Sequence, residues 1–238
     1  MSCEILGIIP ARGGSKSIPG KNLYLCAGRP LICYSFDVAK ESRCLTRTIV
    51  STDSEDIAAC AYDNGIEVPF MRPAEFAGDT TSMKAVVLHT IEALRALDGY
   101  DPDILVLLQP TSPLRKAIHV DEVVERLRET GADSVVSVSP VPSHYHPQWQ
   151  LRMEEGVLAT YMGDPMGSVA TRRQNLDSTL FRDGAVYALW TRTVKTYDNL
   201  YGESSVGYMM SEEDSVNINE MMDLHLAELS LRQRQDCA

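Results

Sequence analysis

Ile104-Leu-Val-Leu-Leu108 is an unbroken apolar run, followed at once by Gln109-Pro-Thr-Ser-Pro-Leu-Arg115. Five such residues in a row read as a strand buried on both faces, the kind found at the centre of a parallel sheet. The prolines behind it end the strand and make a loop. Such a strand needs helices on each side, and the chain supplies them. Downstream, a helix is expected from about Ile118 to Thr130, then a strand at Ser134–Val138. Upstream, Thr80 or Thr81 can cap a helix running to about Leu97, preceded by a short strand at Glu67–Phe70. Before that, Ser54 opens a helix with Glu55 and Asp56 in its first turn and Gly65 at its end. Thr48–Thr52 is a β-branched strand, Pro30–Arg43 a helix with proline in its first turn, and Glu4–Pro10 a buried strand. This alternation predicts an α/β fold with a doubly wound, mostly parallel sheet. Ligands in such sheets bind beyond the carboxyl ends of the strands.

The pattern changes at Pro140. Residues 140–170 mix Pro, His, Tyr, Trp, Met and Gly with no clean period. They read as a small irregular excursion, a hairpin arm or a dimerisation element, inside a single domain spanning 1–238. Gly184–Trp190 returns as a strand, 191–215 is mixed, and Asn219–Arg234 closes the chain as a helix.

Apolar residues make up 44% of the 238 and charged residues 23%, the proportions of a folded protein with a sizeable core. The net charge is −11, which argues against nucleic acid and anionic membranes as partners. Small anionic substrates remain possible wherever Arg and Lys gather against that trend. The six cysteines form no CxxC pair and no metal-ligand spacing, so reduced thiols are expected. The N-terminus lacks the charged and apolar regions of a signal peptide, and Ile5–Pro10 is too short to span a bilayer. A cytoplasmic location follows as the expectation.

One segment does run against the charge: Pro10-Ala11-Arg12-Gly13-Gly14-Ser15-Lys16-Ser-Ile-Pro19-Gly20-Lys21-Asn22, directly after the first strand. Its glycines let backbone N–H groups approach a ligand and form an anion-binding nest. Arg12, Lys16 and Lys21 add positive charge suited to a polyphosphate. The glycine spacing matches neither a Walker loop nor a GxGxxG fingerprint.

The segment IIPARGGSKSIPGKN resembles the opening signature of the acylneuraminate cytidylyltransferases, the CMP-sialic acid synthetase family. Ile49-Val-Ser-Thr-Asp53, Arg72–Ser82, Leu107–Arg115, Arg173-Gln174, Phe181–Tyr187 and Ser211–Glu228 continue the likeness in the same order, over nearly the whole chain. The resemblance implies a Rossmann-like nucleotidyltransferase fold. It implies transfer of CMP from CTP to a nine-carbon sugar acid, N-acetylneuraminic, legionaminic or similar, with release of pyrophosphate. It implies Arg12, Lys21 and Gln109 as catalytic residues. The nucleotide site would comprise Ala11, Arg12, Gly13, Gly14, Ser15, Lys21, Asp79 and Ser82. The sugar site would comprise Gln109, Arg173, Gln174, Arg182 and Tyr187, with Arg173 or Arg182 against the C1 carboxylate. Local readings stay open beside these. Gln109 could cap a strand end, Arg182 could form a surface ion pair, Tyr187 could be core, and Asp53 could cap a turn or a helix. A homodimer is also implied, with residues of about 140–170 as the arm.

The likeness breaks at the position implied to hold Mg2+. The family usually shows Asp-Ile-Asp there, and this chain reads Asn217-Ile-Asn219. Alternation puts both asparagines on one face of an extended segment, but an amide brings no charge to a metal. Activity with weaker metal dependence, a related sugar or nucleotide, and binding without catalysis all stay open. Asp223 reads as a first-turn helix acid. His144 and His146 show strand spacing but have no third partner for zinc.

Overall fold

The computed structural model describes residues 3–169 and 172–236. β1 (Ile5–Pro10) places Leu6 and Ile8 on one face and Ile5 and Ile9 on the other, all buried. That split makes it a two-faced strand, and it lies between β4 (Arg47–Ser51) and β5 (Ile104–Leu107), parallel to both. A two-residue ribbon, β2 (Leu25–Cys26) and β3 (Arg29–Pro30), leads from the first loop into α1 (Leu31–Glu41). α2 (Glu55–Asp63) follows β4, α3 (Met83–Asp98) precedes β5, and α4 (Ala117–Thr130) leads to β6 (Ser134–Pro140). A hairpin, β7 (Leu151–Glu154) and β8 (Val157–Thr160), interrupts the alternation. The chain closes with β9 (Leu180–Trp190), α5 (Thr191–Thr196), β10 (Ser205–Met209) and α6 (Met221–Asp236).

The main sheet runs β10-β6-β9-β5-β1-β4. β9 is antiparallel to both neighbours, and every other pairing is parallel. One core joins Ile5, Ile9 and Val106 to α1, α2 and α4 through Phe36, Ile57 and Val123. The opposite core joins Leu6, Ile8 and Leu107 to α3 and α5 through Ile91, Leu94 and Val194. The sheet is therefore doubly wound and mostly parallel. A third cluster packs Leu224, Ala227 and Leu231 of α6 against Ile18 and Leu31 beside the first loop. Among the described residues no helix is long and apolar enough to cross a membrane.

Several expectations need correction. Glu67–Phe70 forms no strand: Glu67 and Met71 make only isolated bridges to Ile49 and Thr52, because the register slips between them and no continuous ladder forms. Ser82, not Thr80 or Thr81, caps α3, its Oγ accepting from the Ala85 N–H. β9 begins at Leu180, four residues before Gly184, and α6 begins at Met221. The mixed 191–215 stretch contains α5 and the edge strand β10. His144 lies in a 3-10 turn at Ser143–Tyr145 and His146 in the link to the next one, Pro147–Trp149, so the two are not on one strand. His146 is buried, and its Nδ1 accepts from the Gln148 N–H, so Nε2–H donates to the Asp177 carbonyl. Cys3, Cys26, Cys33, Cys44 and Cys60 are free thiols, and Cys237 lies outside the described residues.

Candidate functional site

The sheet reverses its winding at β1 and β5: the chain moves outward to β4 from one and toward β9 from the other. Loops leaving the carboxyl ends of these two strands must part there and leave a crevice. A cleft of about 300 Å³ occupies that place. The first loop lines it with Arg12, Gly14, Ser15 and Lys21. The segment before α3 adds Arg72, Phe76 and Asp79, and the β5 loop adds Gln109 and Thr111.

The first loop is held in shape from below. Ala11 is buried, and its N–H donates to the Ser51 carbonyl. The Gly13 N–H donates to Asp53 Oδ1 at 2.9 Å. A Cβ on Gly13 would meet the Ser54 Cβ at 3.0 Å, so glycine lets the loop approach the β4 turn. Asp53 thus anchors the loop, while Ser54 caps α2. Asn22 Nδ2 donates to the Arg12 carbonyl at 2.9 Å and pins the other limb.

Charge crosses the cleft mouth. Arg12 lies 2.9 Å from Asp79 Oδ1, and Lys16 lies 2.6 Å from Asp79 Oδ2. The hydrogen bond from Lys16, with help from Arg12, holds the Asp79 carboxyl below its ordinary range. Two cations of the Gly-rich loop therefore already grip an oxyanion. Deeper in, Arg72 is buried, with its guanidinium on the Ser51 hydroxyl and carbonyl. Burial pushes its pKa down, and nearby Asp53 opposes that shift.

A second cleft of about 800 Å³ opens beside the first. Arg173, Arg182, Asn217 and Asn219 line it, together with His144 and Tyr145. The 217–219 segment lines the second cleft and is bonded to Lys21 and Thr111, which line the first. The Ile218 N–H donates to the Thr111 carbonyl at 2.8 Å, and Asn217 Nδ2 donates to the Asp183 carbonyl at 2.8 Å. Lys21 Nζ reaches the carbonyls of Ile218 and Asn219, each at 3.1 Å. Burial lowers the Lys21 pKa, Asp223 opposes, and Arg12 adds to the lowering. Gly184 makes this crossing possible: its φ is +79°, and a Cβ there would stand 2.5 Å from Asn217 Nδ2 and 3.4 Å from Gln109 Oε1.

Not every expected residue reaches a cleft. Ser82 is spent as a helix cap, and Ala11 and Gly13 shape the loop from behind. Gln174 is exposed and lines neither cleft. Tyr187 packs against the core of the α3 face, its ring 6.4 Å from that of Tyr201. Tyr201 also stacks on the Arg182 guanidinium. Arg72 and Asn22 also line the first cleft. Their signal was present, in a cation of an acidic chain and an amide ending the Gly-rich loop, but their contacts span many residues of chain.

The sequence profile of the cytidylyltransferase family matches residues 6–235. The chain belongs to the cytidylyltransferase family. A CMP-N,N'-diacetyllegionaminic acid synthase of Legionella pneumophila is 31% identical to it, over 98% of each chain. An N-acylneuraminate cytidylyltransferase of Streptococcus agalactiae is 32% identical over 91% of this chain and 50% of its own, so the present chain spans about half that relative. A CMP:2-keto-3-deoxy-manno-octonic acid synthetase, solved with CTP, shares the fold with a TM-score of 0.69 at 15% identity, covering 97% of this chain and 99% of its own.

For this cytidylyltransferase the fit of a protein-held Mg2+ can be tested on its own side chains. Mg2+ is usually bound through one or two carboxylates. Asn217 spends its amide N–H on Asp183, and the adjacent backbone carbonyls already accept from the Lys21 ammonium. The Asp223 carboxylate, in the first turn of α6, accepts from the N–H groups of Asn219 and Glu220 just before the helix. Among the described residues no group of three or more His, Cys, Asp or Glu is placed to hold a metal ion. The residues at 217–219 do not fit such an ion.

Proposed function

We propose that this cytidylyltransferase moves CMP from CTP onto a nonulosonic acid and releases pyrophosphate. The observation that carries the reading is the pair of adjoining clefts. One offers Arg12, Lys21 and the Gly14–Ser15 backbone to a triphosphate, and the other offers Arg173 and Arg182 to a sugar carboxylate. The full-length Legionella relative, named for a diacetylated nonulosonic acid, supports this acceptor class.

The chemistry asks for positioning and charge neutralisation. A sugar hydroxyl oxygen forms a bond to the α-phosphorus, the bond from that phosphorus to the β-phosphate oxygen breaks, and the hydroxyl proton is released. Arg12 and Lys16 would leave Asp79 for the phosphate oxygens, and Lys21 would neutralise the leaving pyrophosphate. Gln109, which lines the first cleft, would orient the acceptor. Mg2+, carried on the phosphates with retained waters, would neutralise part of their charge.

We further propose that residues 1–238 act as one domain, in the cytoplasm, as a homodimer joined by the 140–170 arm. The hairpin supports the last point. Met153 and Val157 on it, and Tyr161 just after it, are each at least 70% exposed, and two-stranded ribbons are marginal alone.

The test is pyrophosphate release from CTP against a panel of nonulosonic acids and an octulosonate. Turnover with one nonulosonic acid is expected. CTP binding without turnover on any acceptor overturns the reading in favour of a nucleotide-binding relative.

A further inference from the structure

Lys21 stands at the start of the chain and Ile218 near its end, yet the ammonium touches two successive backbone carbonyls of the Asn217–Asn219 segment. A carbonyl pair beside a phosphate cleft is a place that attracts a cation. An ammonium has three N–H donors, and here two are spent on the carbonyls of Ile218 and Asn219. The third is left for a ligand in the nucleotide cleft, which Lys21 lines. The segment cannot shift away from it easily. Ile218 is fully buried against α6 and the first loop, its N–H is bonded to Thr111, and Asn217 is bonded to Asp183. The side chains at 217 and 219 bring no negative charge that would favour a divalent ion over this monovalent one.

We infer that the Lys21 ammonium is the resident cation of the 217–219 segment, and that the chain itself holds no divalent ion there; a divalent ion enters only as part of a metal–nucleotide complex. This rests on the reading of the first cleft as a triphosphate site. Two positive groups competing for one small carbonyl-lined place repel strongly at short range. Lys21 therefore does two things at once: it ties the first loop to the segment before α6, and it presents a fixed charge to the phosphates.

The probe is Mn2+, followed by electron paramagnetic resonance on the protein without nucleotide. The wild-type chain is expected to leave the free-ion signal unchanged through the sub-millimolar range, and added CTP to bring Mn2+ onto the protein. The double variant Asn217→Asp with Asn219→Asp is expected to take up one Mn2+ per chain without nucleotide. Adding Lys21→Met to that variant should tighten its Mn2+ binding by about tenfold or more, because the competing charge is gone. Uptake of Mn2+ by the nucleotide-free wild type, lost on Asn217→Ala, overturns the inference. So does a Lys21→Met substitution that leaves the Mn2+ affinity of the aspartate variant unchanged. If circular dichroism shows the aspartate variant unfolded, the wild-type titration alone decides. No acceptor sugar enters these titrations, so a wrong acceptor class and a wrong cation assignment fail in different experiments.

Discussion

Arg12 and Asp79 pull against each other across the cleft mouth, and substitutions of the two should act with opposite signs. Arg12→Ala removes a guanidinium aimed into the cleft. A charge-assisted hydrogen bond is worth about 1.5–3 kcal/mol, so CTP binding should weaken by roughly 10–150-fold in a calorimetric titration. Asp79→Asn releases Arg12 and Lys16 from an exposed carboxylate, and the same titration should show CTP bound several-fold more tightly. Equal weakening by both would show that Asp79 serves the nucleotide directly. Arg12, Gly14, Ser15 and Lys21 were legible because basic residues beside glycines after a buried strand are a local pattern. Arg72 was not, since its value lies in burial against Ser51 of the neighbouring strand.

At the scale of elements, β9 and the hairpin carry most of the information. β9 enters antiparallel between β5 and β6, with a register irregularity between Val136 and Val138, and so turns Arg182 toward the second cleft. Gly184 sits in that stretch. Gly184→Ala forces a side chain into a left-handed backbone and against Asn217. It should cost about 1–3 kcal/mol of stability in urea unfolding, and turnover should fall by more than CTP binding does. Replacing 151–160 with a short Gly-Ser link should leave CTP affinity within twofold and convert dimer to monomer in light scattering. A wild-type monomer would remove the dimer proposal altogether.

Across the whole molecule, one buried carboxylate joins three distant pieces. Asp214 meets Lys116 at the start of α4, Ser211 beside it, His119 of α4 at 3.4 Å, and Arg234 of α6. Burial alone would raise the Asp214 pKa. Hydrogen bonds from Lys116 and Ser211, with the charge of Arg234, hold it below its ordinary 3.8. Burial lowers the His119 pKa from 6.5, Lys116 and Arg115 add to this, and Asp214 and Glu122 oppose it. Both groups are depressed in the fold, so below their ordinary values the unfolded chain binds more protons, and stability falls as pH falls. The urea midpoint should decline from about pH 6.5 downward through His119 and the partly buried His89, and again below about pH 4 through Asp214 and Asp121. His119→Gln should shrink the first decline, leaving the share of His89, and leave the second. A midpoint constant from pH 7 to 5 would contradict this.

The sequence by itself determined the alternating α/β layout, the two-faced central strands and the cationic Gly-rich loop. Each is written in side chains within a dozen residues of one another, where periodicity and turn chemistry act directly. Tertiary structure decided the insertion of β9, the edge strand β10 and the seat of Arg72. It also decided the meeting of Lys21 with Ile218, 197 residues away in the chain. The physical reason is that strand order brings such partners together, and strand order follows from packing the whole set of apolar faces at once, which no local stretch of chain encodes.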